Sequence, residues 1–315
     1  MKKGIVLVLL IALVSFGLTG CGKSQTPKSS SQDNVKIGII QIVEHPALDA
    51  ARKGFLDALK DKGYVEGKNL TVDYQNAQGE QANLQTISNK FAQDKPDLIL
   101  ADATPSAVAM ANATKDIPIL ITAVTDPVSA KLVNSMEKPG TNVTGTTDMN
   151  PVKEQLKIIK DFIPNAKKVG IIYNSSEINS QVQVDIADKA APALGLQIVK
   201  VTVTTSTEVM QAAQSMVGRV DALYLPTDNM VISSLAAVLK VAEGNKLPVF
   251  SAESNSVENG AIATVGIDYY KLGRMTGEMA VRVLKGEKPQ DMAIQSQPGT
   301  DLVINQKAAE RMGVT

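Results

Sequence analysis

The sequence predicts an α/β protein made of two successive lobes of similar design, each with a parallel sheet between two layers of helices. The first observation is an internal repeat, in which the run KIGII at 36–40 returns as KVGII at 168–172. Two further pairs of runs follow in the same order in both halves. These pairs are 96–100 with 220–225, and 117–121 with 247–251.

The second observation is that the repeated strands are continuous apolar runs, not alternating ones, as at 37–40 and 98–101. Such runs are typical of parallel strands that are covered by helices on both faces. Two α/β halves with equivalent strand ends leave a cleft between them, and clefts of this kind bind small molecules. The fold class therefore already favours ligand capture.

In the first half, strands alternate with helices. The strands are expected near 35–41, 70–75, 97–102 and 118–123, and the helices near 46–62, 80–94 and 104–114. The first helix has the clearest signal, because Leu48, Phe55 and Leu59 fall on one stripe. Pro46 suits a first helical turn and Gly63 suits a helix end.

The second half repeats the alternation. Strands are expected near 168–173, 197–203, 221–225 and 247–251, and helices near 178–194, 207–217 and 230–243. Pro192 should kink or end the helix in which it lies. Right-handed crossovers would then give two three-layer α/β/α lobes.

After residue 258 the segments are shorter: a strand at 261–265, a helix from 269 to about 285, a strand at 302–305 and a short helix at 306–312. They are too small for a third domain, so we expect the chain to cross between the lobes more than once. This assigns 35–145 plus about 267–290 to lobe 1, and 146–266 plus about 300–315 to lobe 2. The expected hinge strands lie near 143–147, 264–267 and 300–302.

The amino terminus predicts export and anchoring. Two lysines precede an apolar stretch at 5–14, and the sequence LTGC at 18–21 resembles a bacterial lipobox. Residues 1–20 are therefore expected to be a signal peptide, and not a permanent membrane helix. Cys21 is the only cysteine in the chain, and it is the expected lipidation site. The alternative is an ordinary signal peptide with an incidental cysteine.

Residues 22–34 contain no large apolar side chain, so the segment that follows Cys21 is expected to be a flexible tether. The lipid on Cys21 would then hold the protein at the cell membrane, on its extracytoplasmic face.

Composition argues against several other functions. Removal of residues 1–20 takes away two lysines from 32 basic and 32 acidic residues, which leaves a net charge of −2 and no basic cluster for nucleic acid. His45 is the only histidine, and no nucleophile elbow, dinucleotide fingerprint or phosphate loop is present. We therefore expect no enzymatic activity, no cofactor and no metal site.

Several motifs together resemble one protein family. With the lipobox and the KIGII run, TAVTDPV at 122–128, PGTNVTG at 139–145 and LKGEKP at 284–289 are similar to the amino-acid-type substrate-binding lipoproteins of ABC importers. QIVEHPALD at 41–49 resembles the tryptophan-binding branch. The resemblance covers residues 36 onward. It implies a type I periplasmic-binding-protein fold, a monomer that closes on its ligand at a multi-strand hinge, and delivery to a membrane permease with its ATPase.

The ligand-binding groups are expected in loops at the carboxyl ends of the strands. Hydroxyls and helix-start amides suit a ligand carboxylate, whereas Asp and Glu suit an ammonium group. The alternative for each polar residue is that it only caps a helix. The candidates are Gln41, His45, Asp49, Thr104, Ser106, Thr122 and Val124 in the first lobe, Asn174, Asn179, Asp228, Asn229 and Glu253 in the second, and Asp268 after a hinge strand.

The expected ligand is an aromatic amino acid, with tryptophan first. Sugar sites usually present aromatic rings, but the chain has no tryptophan and only 3% aromatic residues. Val43, Ala107, Val124 and Met230 can pack against a large apolar side chain. Branched-chain amino acids, nucleoside-like solutes and peptides are the alternative ligands. A ligand sensor for a membrane signalling partner is the alternative role.

Overall fold

A computed structural model describes residues 34–314 of the chain. The predicted signal peptide and Cys21 lie outside the described residues, and so does the predicted tether except for Asn34. The strands are β1 Val35–Gln41, β2 Leu70–Asn76, β3 Leu98–Asp102, β4 Ile119–Val124, β5 Val143–Thr147, β6 Lys168–Asn174, β7 Gln197–Val203, β8 Ala222–Leu225, β9 Val249–Ser251, β10 Ala263–Gly266, β11 Gln295–Ser296 and β12 Asp301–Ile304. The helices are α1 Pro46–Asp61, α2 Gln81–Asp94, α3 Thr104–Ala113, α4 Val152–Phe162, α5 Ile178–Ala190, α6 Val209–Met216, α7 Asn229–Ser233, α8 Leu235–Asn245, α9 Ser254–Glu258, α10 Tyr269–Leu284 and α11 Gln306–Arg311.

The first lobe contains a six-stranded parallel sheet in the order β11-β5-β4-β3-β1-β2. Helices α1 and α10 pack on one face of the sheet, and α2 and α3 pack on the other. Alternate residues of one strand therefore enter different cores: Leu98 and Leu100 pack with Phe55 of α1, whereas Ile99 packs with Phe91 of α2. Burial on both faces explains why these strands are continuously apolar.

The second lobe contains a four-stranded parallel sheet in the order β7-β6-β8-β9. Helix α4 packs with α5, and α6 packs with α8. Right-handed crossovers place the two pairs on opposite faces. One continuous apolar core runs through this lobe, with Leu223, Phe250 and Val238 among its fully buried members.

The chain returns to both lobes after β9. Helix α10 packs lengthwise on α1, so closely that a Cβ atom at Gly273 would overlap the carbonyl oxygen of Ala51. The later β12 pairs antiparallel with β10, and Ala308 and Met312 at the end of the chain join the second-lobe core. The segment that pairs with the first-lobe sheet extends to Ser296 of β11. The lobe limits at 145, 266 and 290 stay predictions.

Two local expectations need correction. Helix α4 had no counterpart in the predicted elements, although Val152, Leu156 and Ile159 are spaced on one helical face and are all buried. The single helix expected at 230–243 is wrong, because the chain breaks at Ser234 between α7 and α8. The strand expected near 143–147 is present as β5, fully buried between β4 and β11. Its role in a hinge stays a prediction.

Pro192 has the predicted effect on its helix. Helix α5 ends at Ala190, and a single 3-10 turn continues to Leu194. Among residues 34–314, no helix is both long enough and apolar enough to cross a membrane.

Candidate ligand-binding cleft

The carboxyl ends of the strands of the two lobes lie against each other. A cavity of about 550 Å³ lies where they meet. Ile42, Val43 and Pro105 line it from the first lobe, and Asn229 and Met230 line it from the second. Apolar and polar groups from both lobes therefore converge on one space, which is typical of a small-molecule site.

Two buried hydrogen bonds connect the lobes directly. Nε2 of His45, at the start of α1, lies 3.5 Å from Oδ1 of Asn229, at the start of α7. The hydroxyl of Thr125, after β4, lies 3.2 Å from the hydroxyl of Thr227, after β8. Because all four side chains are buried, these contacts belong to an arrangement in which the lobes have closed on each other.

Glu177 organises the second-lobe side of the cleft. Its carboxylate accepts hydrogen bonds from the side-chain amides of Asn179 at 3.0 Å and Asn229 at 2.5 Å, and from the backbone N–H groups of Asn229 and Met230, both at 3.3 Å. A carboxylate at the first turn of α7 is also favoured by the free amides there. Burial and the nearby charge of Asp228 raise the pKa of Glu177 to about 7.

Asp228 holds the neighbouring loop. Its carboxylate accepts from the backbone N–H of Asn174 at 2.6 Å, from the Ser180 hydroxyl at 2.6 Å and from the backbone N–H of Val231 at 2.9 Å. These donors occupy both oxygens, so Asp228 is a structural residue of the cleft wall. Burial raises its pKa above the ordinary value, and its hydrogen bonds oppose that shift.

A different set of buried polar atoms has no hydrogen-bond partner within residues 34–314. Leaving such atoms unpaired costs about 1–3 kcal/mol each, so each of them needs a physical explanation. Apart from the hydroxyl of Ser88 in α2, they are Nδ1 of His45, both carboxylate oxygens of Asp102, the hydroxyls of Thr104 and Ser106, and Oδ1 of Asp148, Asn150 and Asn179.

The cleft is strongly acidic. Burial raises the pKa of Asp102 well above its usual range, and the charges of Asp49 and Asp148 raise it further, against the attraction of Arg52. Burial, with the charges of Asp148 and Asp228, raises the pKa of Glu253 to about 8. Burial also raises the pKa of Asp148. A positively charged group bound among these carboxyls would stabilise their ionised forms.

The backbone at two first-lobe strand ends is strained. Ala103, directly after Asp102, has a φ of 75°, and Ala123, directly after Thr122, has a φ of 53°. Non-glycine residues seldom adopt positive φ, and such positions concentrate at binding sites. The turn at Ala103 leads directly into α3, whose first turn carries Thr104 and Ser106.

The structure brings most of the predicted site residues together at this interface. Gln41 and Asp49 instead bind each other at 3.0 Å, and Arg52 donates to Gln41 at 2.6 Å, all within the first lobe. Thr122 accepts a hydrogen bond from Thr146 at 3.4 Å. The residues at the interface are His45, Thr104, Ser106, Asn174, Asn179, Asp228, Asn229 and Glu253.

Two other candidates lie away from these groups. Val124 is fully buried in the first-lobe core. Asp268 caps α10 by accepting from the backbone N–H of Lys271 at 3.0 Å, and its side chain is 37% exposed. Asp268 is therefore not among the buried side chains at the interface between the lobes. The assignment of each residue to ligand contact stays a prediction.

Sequence reasoning missed several residues of the interface. Asp102 ends an apolar strand and begins the loop 102–106, which was expected to line the cleft, but it was not named as a candidate. Asp148 and Asn150 follow β5, which had been interpreted as a hinge strand. Glu177 lies between the candidates Asn174 and Asn179, and Thr227 directly precedes the candidate Asp228. Both lie in loops that were expected to line the cleft. Within residues 34–314, no group of three or more His, Cys, Asp or Glu side chains is placed to hold a metal ion.

Comparison with known proteins identifies the family. The family described as "ABC transporter substrate binding protein" matches residues 36–315. The chain belongs to this family. A substrate-binding protein of an ABC transporter works outside the cytoplasmic membrane, and the two facing α/β lobes are those of the type I periplasmic-binding-protein fold.

Three members of the family are informative. A relative from Clostridioides difficile strain R20291, named tyrosine-binding protein, is 47% identical over 97% of this chain and 90% of its own length. An ABC domain from Streptococcus pneumonia, solved in complex with L-Trp, is 38% identical, with a TM-score of 0.87 over 90% of this chain and 96% of that one. A ligand-free, open substrate binding protein from Clostridium difficile is 52% identical, with a TM-score of 0.67 over 89% of this chain and 95% of that one.

The conformations explain why the more similar sequence gives the poorer superposition. The open structure has the higher identity but the lower TM-score, whereas the complex with L-Trp superposes closely. Our structure, with its two buried contacts between the lobes, has the lobe arrangement of the ligand-bound relative.

Proposed function

We propose that this substrate-binding protein captures an aromatic L-amino acid between its lobes, with tryptophan or tyrosine as the ligand. The observation that carries the proposal is the set of unpaired buried polar atoms at the closed interface. The names of the relatives support it, because one is called a tyrosine-binding protein and another was solved with L-Trp.

The unpaired groups suit the two ends of a zwitterion. Asp102 and Asp148 offer carboxylate oxygens to an ammonium group, and the charge of Asp148 contributes to the raised pKa of Asp102. Thr104 and Ser106 offer hydroxyl donors to a carboxylate, at the positive end of α3. An amino acid carries both charged groups on its α-carbon, and residues 102–106 hold acceptors and donors within the same short segment.

One part of the cavity wall suits an apolar side chain. Ile42, Val43, Pro105 and Met230 line the cavity, and burial of an aromatic ring against them contributes several kcal/mol at about 25 cal/mol per Å². A ring that contacts both lobes binds the closed form better than the open form, and this difference in affinity drives closure.

We further propose that the protein is held at the membrane by a lipid on Cys21 and passes its ligand to a permease driven by an ATPase. The lipobox supports the anchor, and membership of the family supports the permease.

Isothermal titration calorimetry with purified protein tests the ligand. We expect tight binding of L-tryptophan or L-tyrosine, and at least tenfold weaker binding of L-leucine, because a branched aliphatic side chain buries less apolar area. Small-angle scattering of the same samples should show a smaller radius of gyration with ligand. Tight leucine binding without an aromatic response would contradict the proposal.

A further inference from the structure

His45 is held in one tautomer by a chain of hydrogen bonds that crosses the cleft. Glu177 accepts from several N–H groups, so the amide of Asn229 must turn its NH₂ group toward that carboxylate, at 2.5 Å. The Oδ1 of Asn229 then faces Nε2 of His45 at 3.5 Å. An amide oxygen can only accept, so Nε2 of His45 carries the proton and Nδ1 carries a free lone pair.

That lone pair is buried and unused by the protein. The His45 residue is 4% exposed, and its Nδ1 has no hydrogen-bond partner among the described residues. Burial also lowers the pKa of His45 to about 4, against the opposing effect of its bond to Asn229. The ring is therefore neutral at physiological pH, and Nδ1 is available as an acceptor.

His45 lies in the chain between residues that line two cavities. It follows Val43 by two residues, and its partner Asn229 directly precedes Met230. Val43, Asn229 and Met230 all line the larger cavity. Pro46 and Ala47, which follow His45, line a second, smaller cavity with Ile232 and Glu253. A neutral nitrogen is a weaker partner for an ammonium group than the buried carboxyls are, so it suits a ligand that has one polar hydrogen on a mainly apolar ring.

We propose that Nδ1 of His45 accepts a hydrogen bond from the polar hydrogen of the ligand ring, the indole N–H of tryptophan or the phenol O–H of tyrosine. The inference rests on the proposed aromatic ligand and names the residue that selects among aromatic rings. His45 then excludes phenylalanine, because a bound phenyl ring leaves the buried nitrogen unpaired.

The test compares ring selectivity in the wild type and in two variants. In the wild type, the tighter of L-tryptophan and L-tyrosine should bind at least tenfold better than L-phenylalanine, as expected for one buried hydrogen bond. In His45→Leu, the two affinities should converge to within about threefold, mainly through loss of binding to the preferred ligand. His45→Gln keeps an acceptor and should retain part of the preference.

Thr125→Val is the matched control, because it removes the other bond between the lobes without touching His45. It should weaken all aromatic ligands by the same factor and leave the ratio unchanged. A His45→Leu variant that also weakens all of them equally would overturn the inference, because His45 would then only connect the lobes.

A test with modified ligands uses only the wild type, so it remains informative if a variant fails to fold. If tryptophan is preferred, its N1-methyl derivative should bind the wild type at least tenfold more weakly; if tyrosine is preferred, its O-methyl derivative should do so. Equal binding of phenylalanine and the preferred ligand to the wild type would also overturn the inference. A wild type that binds no aromatic amino acid would instead refute the proposed function.

Discussion

Buried carboxyls in the cleft fall into two kinds. Glu177 and Asp228 receive N–H and O–H donors from their own lobe and shape its loops. Asp102 has no donor on either oxygen, and Asp148 has one oxygen bonded to Tyr269 and one without a partner. The first kind has its hydrogen-bond donors within the protein, whereas the second kind would gain donors from the ammonium group of the proposed ligand.

We predict that ligand affinity rises with pH between 6.5 and 8. In the closed protein, burial places the pKa of Glu253 at about 8, above its usual 4.5, so this carboxyl is mostly protonated at pH 6.5. An ammonium group nearby favours ionisation, so binding releases a proton and becomes tighter as pH rises, by up to about tenfold per pH unit for each proton released. Calorimetry in buffers with different heats of ionisation measures the number of protons released on binding.

The variant Glu253→Gln should flatten the pH dependence, and an unchanged slope would show that Glu253 is not involved. Titration of His45 does not contribute to the pH dependence between pH 6.5 and 8. Its pKa is lowered to about 4 from 6.5, so its contribution to closure is complete above pH 6.5 and is lost as pH falls toward 4.

The sequence predicted the types of residue at the interface better than it predicted the hydrogen bonds between them. Thr104, Ser106 and Asn179 were selected because polar residues after apolar strands mark one sheet edge, and the structure places them at the interface, with Asp102. Glu177 could not be chosen over its neighbours, because its importance depends on amides from α7, more than fifty residues later. Hydrogen bonds between distant loops leave no periodic trace in a sequence.

Among the elements, the closest contact between helices is that of α1 with α10. A Cβ atom at Gly54 would overlap the carbonyl oxygen of Tyr270, and one at Gly273 would overlap that of Ala51. Both helices could be predicted, α1 from its apolar stripe and Pro46, and α10 from its start after Asp268. Their contact could not, because a glycine within a helix does not identify the helix that approaches it.

We predict that Gly273→Ala lowers the free energy of unfolding by about 3 kcal/mol, because the added methyl group forces two helix backbones apart. Gly244→Ala in α8 is the control, since nothing lies within 4 Å of its added Cβ. That change should be neutral or stabilise by up to about 1 kcal/mol, because alanine favours the helix. Urea unfolding measures both, and equal effects would contradict the prediction.

The two secondary-structure errors have different causes. Pro151 directly precedes α4 and Pro164 follows it, so this helix could have been predicted from its boundaries and its apolar face. The break between α7 and α8 at Ser234 has no proline or glycine beside it, so nothing in the sequence marked it. Strand β5 is short and polar but fully buried. A strand was expected at these residues, but its place inside the sheet depends on its two neighbours.

For the whole molecule, the repeat in the sequence predicted the two-lobed architecture, because each half encodes its own sheet. The closed arrangement could not be predicted, since it depends on two side-chain pairs that join distant loops, His45 with Asn229 and Thr125 with Thr227.

We predict that Cys21 attaches the protein to the membrane. Metabolic labelling with a radioactive fatty acid should mark the wild type and not Cys21→Ala, because only the thiol can be alkylated by the lipid precursor. The variant should still bind the ligand with wild-type affinity, since residue 21 precedes the first strand by fourteen positions. Equal labelling of both proteins would rule out the anchor.

The return of the chain to both lobes has a consequence for how the polypeptide acquires its fold during synthesis. The core of the first lobe includes Tyr269 and Met279 of α10, and that of the second includes Ala308 and Met312 of the last helix. A growing chain that ends at β5 therefore exposes the side of α1 that α10 will cover, including Gly54. Neither half can mature as an independent unit, and cooperative folding waits for the carboxyl-terminal residues.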